Sequence, residues 1–154
     1  MEAAAMKVAV LMGSANDRAK MAPAGETLAG FGVESTEHVM SAHRSPASVA
    51  EFARGAREAG YDVVICGAGM AAHLAGAVAA QTTLPVIGVP LSGGAIGGVD
   101  ALYATVQMPR GVPVATVAID GAANAALLAV AIGSLSDPEL AERLDAYRLD
   151  WVLQ

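Results

Sequence analysis

His43 and Arg44 stand side by side in the run Ser41-Ala-His-Arg-Ser-Pro46. An imidazole can give and take protons near neutral pH, and a guanidinium offers a planar fork of donors to a phosphate or carboxylate. The chain enters this run from an expected strand, Glu34–Val39, and leaves it into an expected helix over Pro46–Ala59. Ser45 then Pro46 suits an N-cap followed by the first helical position, where a missing N–H is harmless. His43 and Arg44 are therefore expected at a helix N-terminus, where backbone N–H groups and the helix dipole favour anions. A capped loop with a solvated histidine and arginine is the plain alternative that these residues alone leave open.

Glycines, hydroxyls and ionisable groups also gather after the other apolar runs. Lys7–Met12 leads into Gly13-Ser14-Ala15-Asn16-Asp17, where Ser14 could hold a phosphate and Asp17 a ribose hydroxyl. Asp17 equally suits capping of the next helix. Val63–Cys66 leads into Gly67-Ala-Gly-Met-Ala-Ala-His73-Leu74. Its Gly-Ala-Gly lacks the acidic residue about 20 positions on that a dinucleotide site needs, so its glycines are expected to let a ligand ring approach the backbone. His73 falls at a helix start and equally suits a packed histidine. Val86–Val89 leads into a glycine-rich stretch, Ser92–Gly98. His38 lies within strand two as a surface or core residue, and Cys66 is expected to be buried and inert. No His, Asp or Glu spacing suggests a metal, and no Gly-x-Ser-x-Gly elbow supports a serine hydrolase.

Elements that would place these loops follow from the apolar patterning. Strands are expected at Lys7–Met12, Glu34–Val39, Val63–Cys66, Val86–Val89 and Val114–Ile119. Helices are expected at Ala19–Gly30, Pro46–Ala59, His73–Ala80, Val99–Val106 and Ala122–Leu135. Continuous apolar strands alternating with helices predict a three-layer α/β/α, flavodoxin-like fold. Its five-stranded parallel sheet is expected in the order 2-1-3-4-5, with ligands at the carboxyl ends of the strands.

After Ser136-Asp137-Pro138 a separate amphipathic helix is expected, with Leu140, Leu144, Tyr147 and Trp151 on one face. Asp137 and Pro138 suit its start, with Ser136 and Glu139 as an alternative capping box. The sheet core is complete by Leu135, so the stripe needs another surface. Docking across a neighbouring subunit is the expectation, against packing on its own subunit. One domain over residues 1–154 is expected, with a core at 7–135 and this helix at 137–152.

The chain has 154 residues, 55% of them hydrophobic, only 16% charged and 4% aromatic. So apolar a composition predicts self-association. A net charge of −6 and no basic run make nucleic acid and anionic membranes poor partners. The single cysteine excludes an internal disulfide. Residues 1–6 lack a signal-peptide pattern, and no uninterrupted apolar segment reaches about 18 residues, so a cytoplasmic location is expected.

Together these loops strongly resemble one family, the class I 5-(carboxyamino)imidazole ribonucleotide mutases of purine biosynthesis, called PurE. The matching pieces are Met-Gly-Ser (12–14) with Asp17, Ser-Ala-His-Arg-Ser-Pro (41–46), and Gly-Ala-Gly (67–69) with Ala-Ala-His-Leu (71–74). Leu-Pro-Val-Ile-Gly-Val-Pro (84–90), the run Val106–Ile119 and the Ala-rich segment with Asn124 match as well. The resemblance covers about residues 7–147 in order. It implies transfer of a carboxylate from an exocyclic nitrogen of an aminoimidazole nucleotide to a ring carbon, with no metal or organic cofactor. It implies His43 as general acid and base, and Ser14, Asp17 and Arg44 on the ribose phosphate. Ser41, Gly69, Ala71, His73 and Leu74 would form the wall around the base and carboxylate. It also implies a homo-octamer.

Four positions depart from the commonest family pattern. Asn16 stands for Ser, Arg18 for Trp, Met70 for Gly and Ala75 for Pro. A class II relative, which carboxylates the aminoimidazole with CO₂ directly, resembles Ser-Ala-His-Lys at loop two and lacks Ala-Ala-His-Leu. Arg44 and His73 therefore point to class I. A flavin-carrying module would want aromatic side chains in these loops, and there are none. A pure oligomerisation module would explain the apolar composition but not His43 beside Arg44.

Overall fold

A computed structural model describes residues 5–152. The strands are β1 (Lys7–Met12), β2 (Glu34–Val39), β3 (Val63–Gly69), β4 (Val86–Leu91) and β5 (Ala115–Thr116). The helices are α1 (Arg18–Gly30), α2 (Pro46–Gly55), α3 (Leu74–Ala79), α4 (Val99–Val106), α5 (Ala122–Gly133) and α6 (Pro138–Val152). The five strands form one parallel sheet in the order β2-β1-β3-β4-β5, with helices on both faces.

Successive side chains of a strand point to opposite faces, and here both faces are covered. Val8, Val10 and Met12 of β1 join Ile65, Ile87 and Val89 in a core with α1, α5 and α6. Ala9 and Leu11 join Val64, Cys66 and Val86 in a second core with α2 and α3. The polar β2 is the exception among otherwise apolar strands, and it is an edge strand. His38 lies there, its ring 4.8 Å from that of Phe52 and its Nε2 3.0 Å from Thr36 Oγ1. Burial, then the charge of Lys7, pushes its imidazole below the usual range.

Several boundaries move for physical reasons. β3 and β4 run on through Gly69 and Leu91, because backbone pairing needs no apolar side chains. The fifth strand shrinks from the expected Val114–Ile119 to two residues. Val117 N still donates to Gly88 O at 3.1 Å, but Pro90 has no N–H for the next rung. α2 stops at Gly55, short of Ala59, where glycine weakens the helix and turns follow.

The C-terminal helix departs from one expectation: Leu140, Leu144 and Tyr147 of its stripe already pack on their own chain. Leu140 and Leu144 are 2% and 7% exposed and belong to the same core as Leu28 and Phe31 of the α1 end. The Tyr147 ring lies 5.5 Å from that of Phe31, and Arg143 Nη1 donates to Phe31 O at 2.6 Å. Only Trp151 leaves the stripe for solvent, 64% exposed. The helix begins as expected, with Asp137 Oδ1 accepting from Leu140 N at 3.1 Å. No helix among the described residues is long and apolar enough to cross a membrane.

Leu140→Ala is expected to cost about 2–5 kcal/mol of stability, the usual range for emptying a tightly packed leucine site. Urea unfolding of the variant beside the parent measures this directly. A loss below about 0.5 kcal/mol would mean that α6 does not close this core.

Candidate active site

Parallel pairing brings the strand ends to one edge. Met12 is in register with Val39 and Gly67, and Gly69 with Leu91. A cavity of about 570 Å³ opens there between the four loops that follow β1, β2, β3 and β4. All nine residues singled out from the sequence line it: Ser14, Asp17, Ser41, His43, Arg44, Gly69, Ala71, His73 and Leu74.

After β1 the chain makes a single 3-10 turn, Ala15–Asp17, before α1. Ser14 caps that turn, its Oγ accepting from Asn16 N at 3.2 Å. Asp17 stands at the cap position of α1 without a side-chain capping bond. Burial raises its carboxyl above the usual range, against a backbone hydrogen bond from Ser14 and the charge of Lys20. Arg18 is turned away into a surface pair with Glu37, Nε to Oε1 2.7 Å, and does not line the cavity.

The loop after β2 closes on itself. Ser41 N donates to Ser45 Oγ at 3.2 Å, and Ser45 Oγ donates to Ser41 O at 3.1 Å. Ser45 therefore does not cap α2 with its side chain as expected, because its hydroxyl is engaged by this local turn. Arg44 N donates to Ser41 Oγ at 3.2 Å, and Arg44 Nη2 reaches Gly13 O at 3.2 Å. One such bond holds the guanidinium against the end of β1 and leaves it further donors for an anion.

The loop after β3 carries the second histidine. His73 occupies the cap position of α3 without a capping bond, and its ring lies 5.6 Å from that of His43. Two imidazoles, tilted 51° to each other, therefore line one cavity. Met70 sits in the left-handed region at φ 52°, the conformation a glycine would hold without strain. Its side chain is exposed and touches the space a Cβ at Gly94 would need. Ala75 is buried in the sheet core below the loop. Cys66 is buried just before it, and burial pushes its thiol well above the usual range, so it is no nucleophile.

The loop after β4 supplies Ser92, Gly93 and Gly94 to the cavity wall. The sequence marks this stretch as a loop at a strand end but gives no role to any residue in it. Its glycine content and its position after a strand were the available signals. The partners of Ser92, Lys20 and Asp120, lie far off in sequence and carry no local pattern.

Comparisons with known proteins point to one family. Residues 7–151 match the family model described as AIR carboxylase. The chain is 52% identical over 144 residues to the N5-carboxyaminoimidazole ribonucleotide mutase of Pyrococcus abyssi, covering 94% of this chain and 83% of that one. It is 55% identical over 138 residues to the same-named protein of Aquifex aeolicus, covering 90% and 83%. Against that of Escherichia coli strain K12 the identity is 51% over 144 residues, covering 92% and 85%. The crystal structure of Treponema denticola PurE superposes with a TM-score of 0.85 at 29% identity, covering 96% of this chain and 92% of that one. With a family match across nearly its whole length, and relatives this similar, the chain belongs to the AIR carboxylase family.

Proposed function

We infer that this protein is the mutase of purine biosynthesis that converts 5-(carboxyamino)imidazole ribonucleotide to 4-carboxy-5-aminoimidazole ribonucleotide. One observation carries the reading: His43, Arg44 and His73 converge on one cavity at the strand ends, in a chain at least half identical to the mutases named above.

The chemistry needs no net oxidation. The N–CO₂⁻ bond of the carbamate breaks, and the exocyclic nitrogen gains a proton from His43. The ring carbon then attacks the trapped CO₂, a C–C bond forms, and the ring proton passes to His43. One imidazole thus ends as it began, acid in the first step and base in the second. Holding CO₂ beside the ring carbon between the two steps is a matter of proximity, which the loop walls supply. In this reading Arg44, Ser14 and Asp17 hold the ribose phosphate. Ser41, Gly69, Ala71, His73 and Leu74 enclose the base and carboxylate.

The reading places the protein in the cytoplasm as one PurE-like domain that assembles into a homo-oligomer, an octamer by family resemblance. Val99, Tyr103 and Val106 support assembly. They fall on one face of α4, are 42%, 62% and 45% exposed, and sit beside an exposed Ile96.

A coupled absorbance assay tests the function. Carbamate offered at low bicarbonate is expected to turn over, and His43→Asn is expected to lose about three to four orders of magnitude in turnover while still binding the nucleotide. More efficient conversion of the unsubstituted aminoimidazole with bicarbonate would instead assign direct use of CO₂. Near-normal turnover by a folded His43→Asn variant would remove His43 from the chemistry.

Arg44→Lys is expected to weaken nucleotide binding about tenfold or more with the fold intact, because an ammonium cannot reproduce the planar fork. Titration calorimetry reads this, and an unchanged affinity would put the phosphate elsewhere.

A further inference from the structure

The glycine-rich stretch after β4 has little of its own to hold it. Gly93, Gly94, Gly97 and Gly98 have φ of 150°, 64°, 66° and 96°. A Cβ at Gly93 or Gly97 would meet nothing within 4 Å. Yet Gly93 and Gly94 form part of the cavity wall. Glycine loses more backbone freedom on ordering than any other residue, so a wall built from it needs an anchor.

Ser92 provides that anchor and is held from two sides. From α1, Lys20 Nζ donates to Ser92 Oγ at 2.9 Å and also to the Ser92 carbonyl. From the turn after β5, Asp120 Oδ1 accepts from Ser92 N at 2.8 Å, and Asp120 Oδ2 accepts from Ser92 Oγ. A hydroxyl that accepts from an ammonium and donates to a carboxylate has its rotation fixed, and both bonds are charge-assisted. Asp120 is fixed in turn. Its N–H donates to Pro90 O at 2.8 Å, and its backbone sits in the left-handed region at φ 58°. Burial would raise the Asp120 carboxyl, but the two bonds from Ser92 and the charge of Lys20 outweigh it and hold the group below the usual range. Among the described residues no other side chain hydrogen-bonds to residues 92–98.

Lys20 and Asp120 do not line the cavity; they reach it through Ser92. We propose that Lys20, Ser92 and Asp120 form a latch that sets the glycine-rich wall of the nucleotide site, with Lys20 and Asp120 as positioning residues. The inference rests on the mutase reading, which puts the nucleotide in this cavity. A wall ordered before the ligand arrives spares binding the cost of ordering it. The latch therefore acts on nucleotide affinity and leaves the proton-moving imidazole alone.

Steady-state kinetics with the carbamate nucleotide, together with amide hydrogen exchange of residues 92–98 in the whole unliganded protein, test this. Lys20→Met keeps an unbranched, helix-compatible side chain and removes the donor. Asp120→Asn keeps the shape and tolerates the left-handed backbone. Each is expected to raise KM about tenfold, the scale of one lost charge-assisted hydrogen bond, with kcat within about twofold. Each should also speed exchange across residues 93–98 without speeding it in β1 or β3. Lys20→Arg should restore both readouts, and the double variant should be no worse than the poorer single one, since either change opens the same latch. Unchanged KM and exchange in Lys20→Met would overturn the proposal. So would multiplicative effects in the double variant, or faster exchange throughout the sheet. If the parent protein turned over no carbamate, the mutase reading would fall, and the exchange comparison would still decide whether the latch orders this segment.

Discussion

Parallel register between β1 and its two neighbours is the constraint on which the rest depends. β1 pairs with β2 on one side and β3 on the other, so a single strand sets the level at which three loops leave the sheet. Backbone bonds then hold the start of two of those loops to a neighbouring strand. Gly13 N donates to Gly67 O at 3.2 Å, and Met40 N donates to Met12 O at 2.9 Å. A slip of one residue in β1 would turn Val8, Val10 and Met12 to the opposite face and move the loop by about 3.3 Å along the sheet. The core and the cavity therefore share one register, and neither can be misassembled without the other.

This arrangement suits an anion in a chain that carries a net charge of −6. Long-range attraction is not available to it, so recognition falls to donors placed at close range. Arg44 is held on Gly13 O, and the Ser14 turn and the Ser41–Ser45 closure fix the backbone around it. Lys20 is the nearby cation, and its charge favours the ionised forms of both Asp17 and Asp120.

What the sequence revealed and what it concealed divide along one line. Strands covered on both faces write their burial into the chain as apolar runs, so β1, β3 and β4 were legible, and so were the loops that end them. The polar β2 lacks such a run, and its place before the His43 loop was the signal for it. Contacts between distant segments leave no such trace. The Ser92–Asp120 bonds span 28 residues and the Lys20–Ser92 bonds 72, and neither has a local signature. The stripe on α6 announced that a surface was needed but not whose, and the answer was Phe31 on the same chain. Met70 was visible as a departure from glycine, while its left-handed backbone was not.

The seat of α6 also bears on how the chain is made. Arg143 and Phe31, joined by a hydrogen bond, stand 112 residues apart. During synthesis from the N-terminus, the surface formed by Leu28 of α1 and Phe31 just beyond it is finished long before Leu140 and Leu144 emerge to cover it. The early strands wait in the same way, because β1 is interior to the sheet and β3 follows β2 in the chain. A nascent chain of this fold thus carries an uncovered apolar face through most of its synthesis, the condition under which aggregation competes with folding.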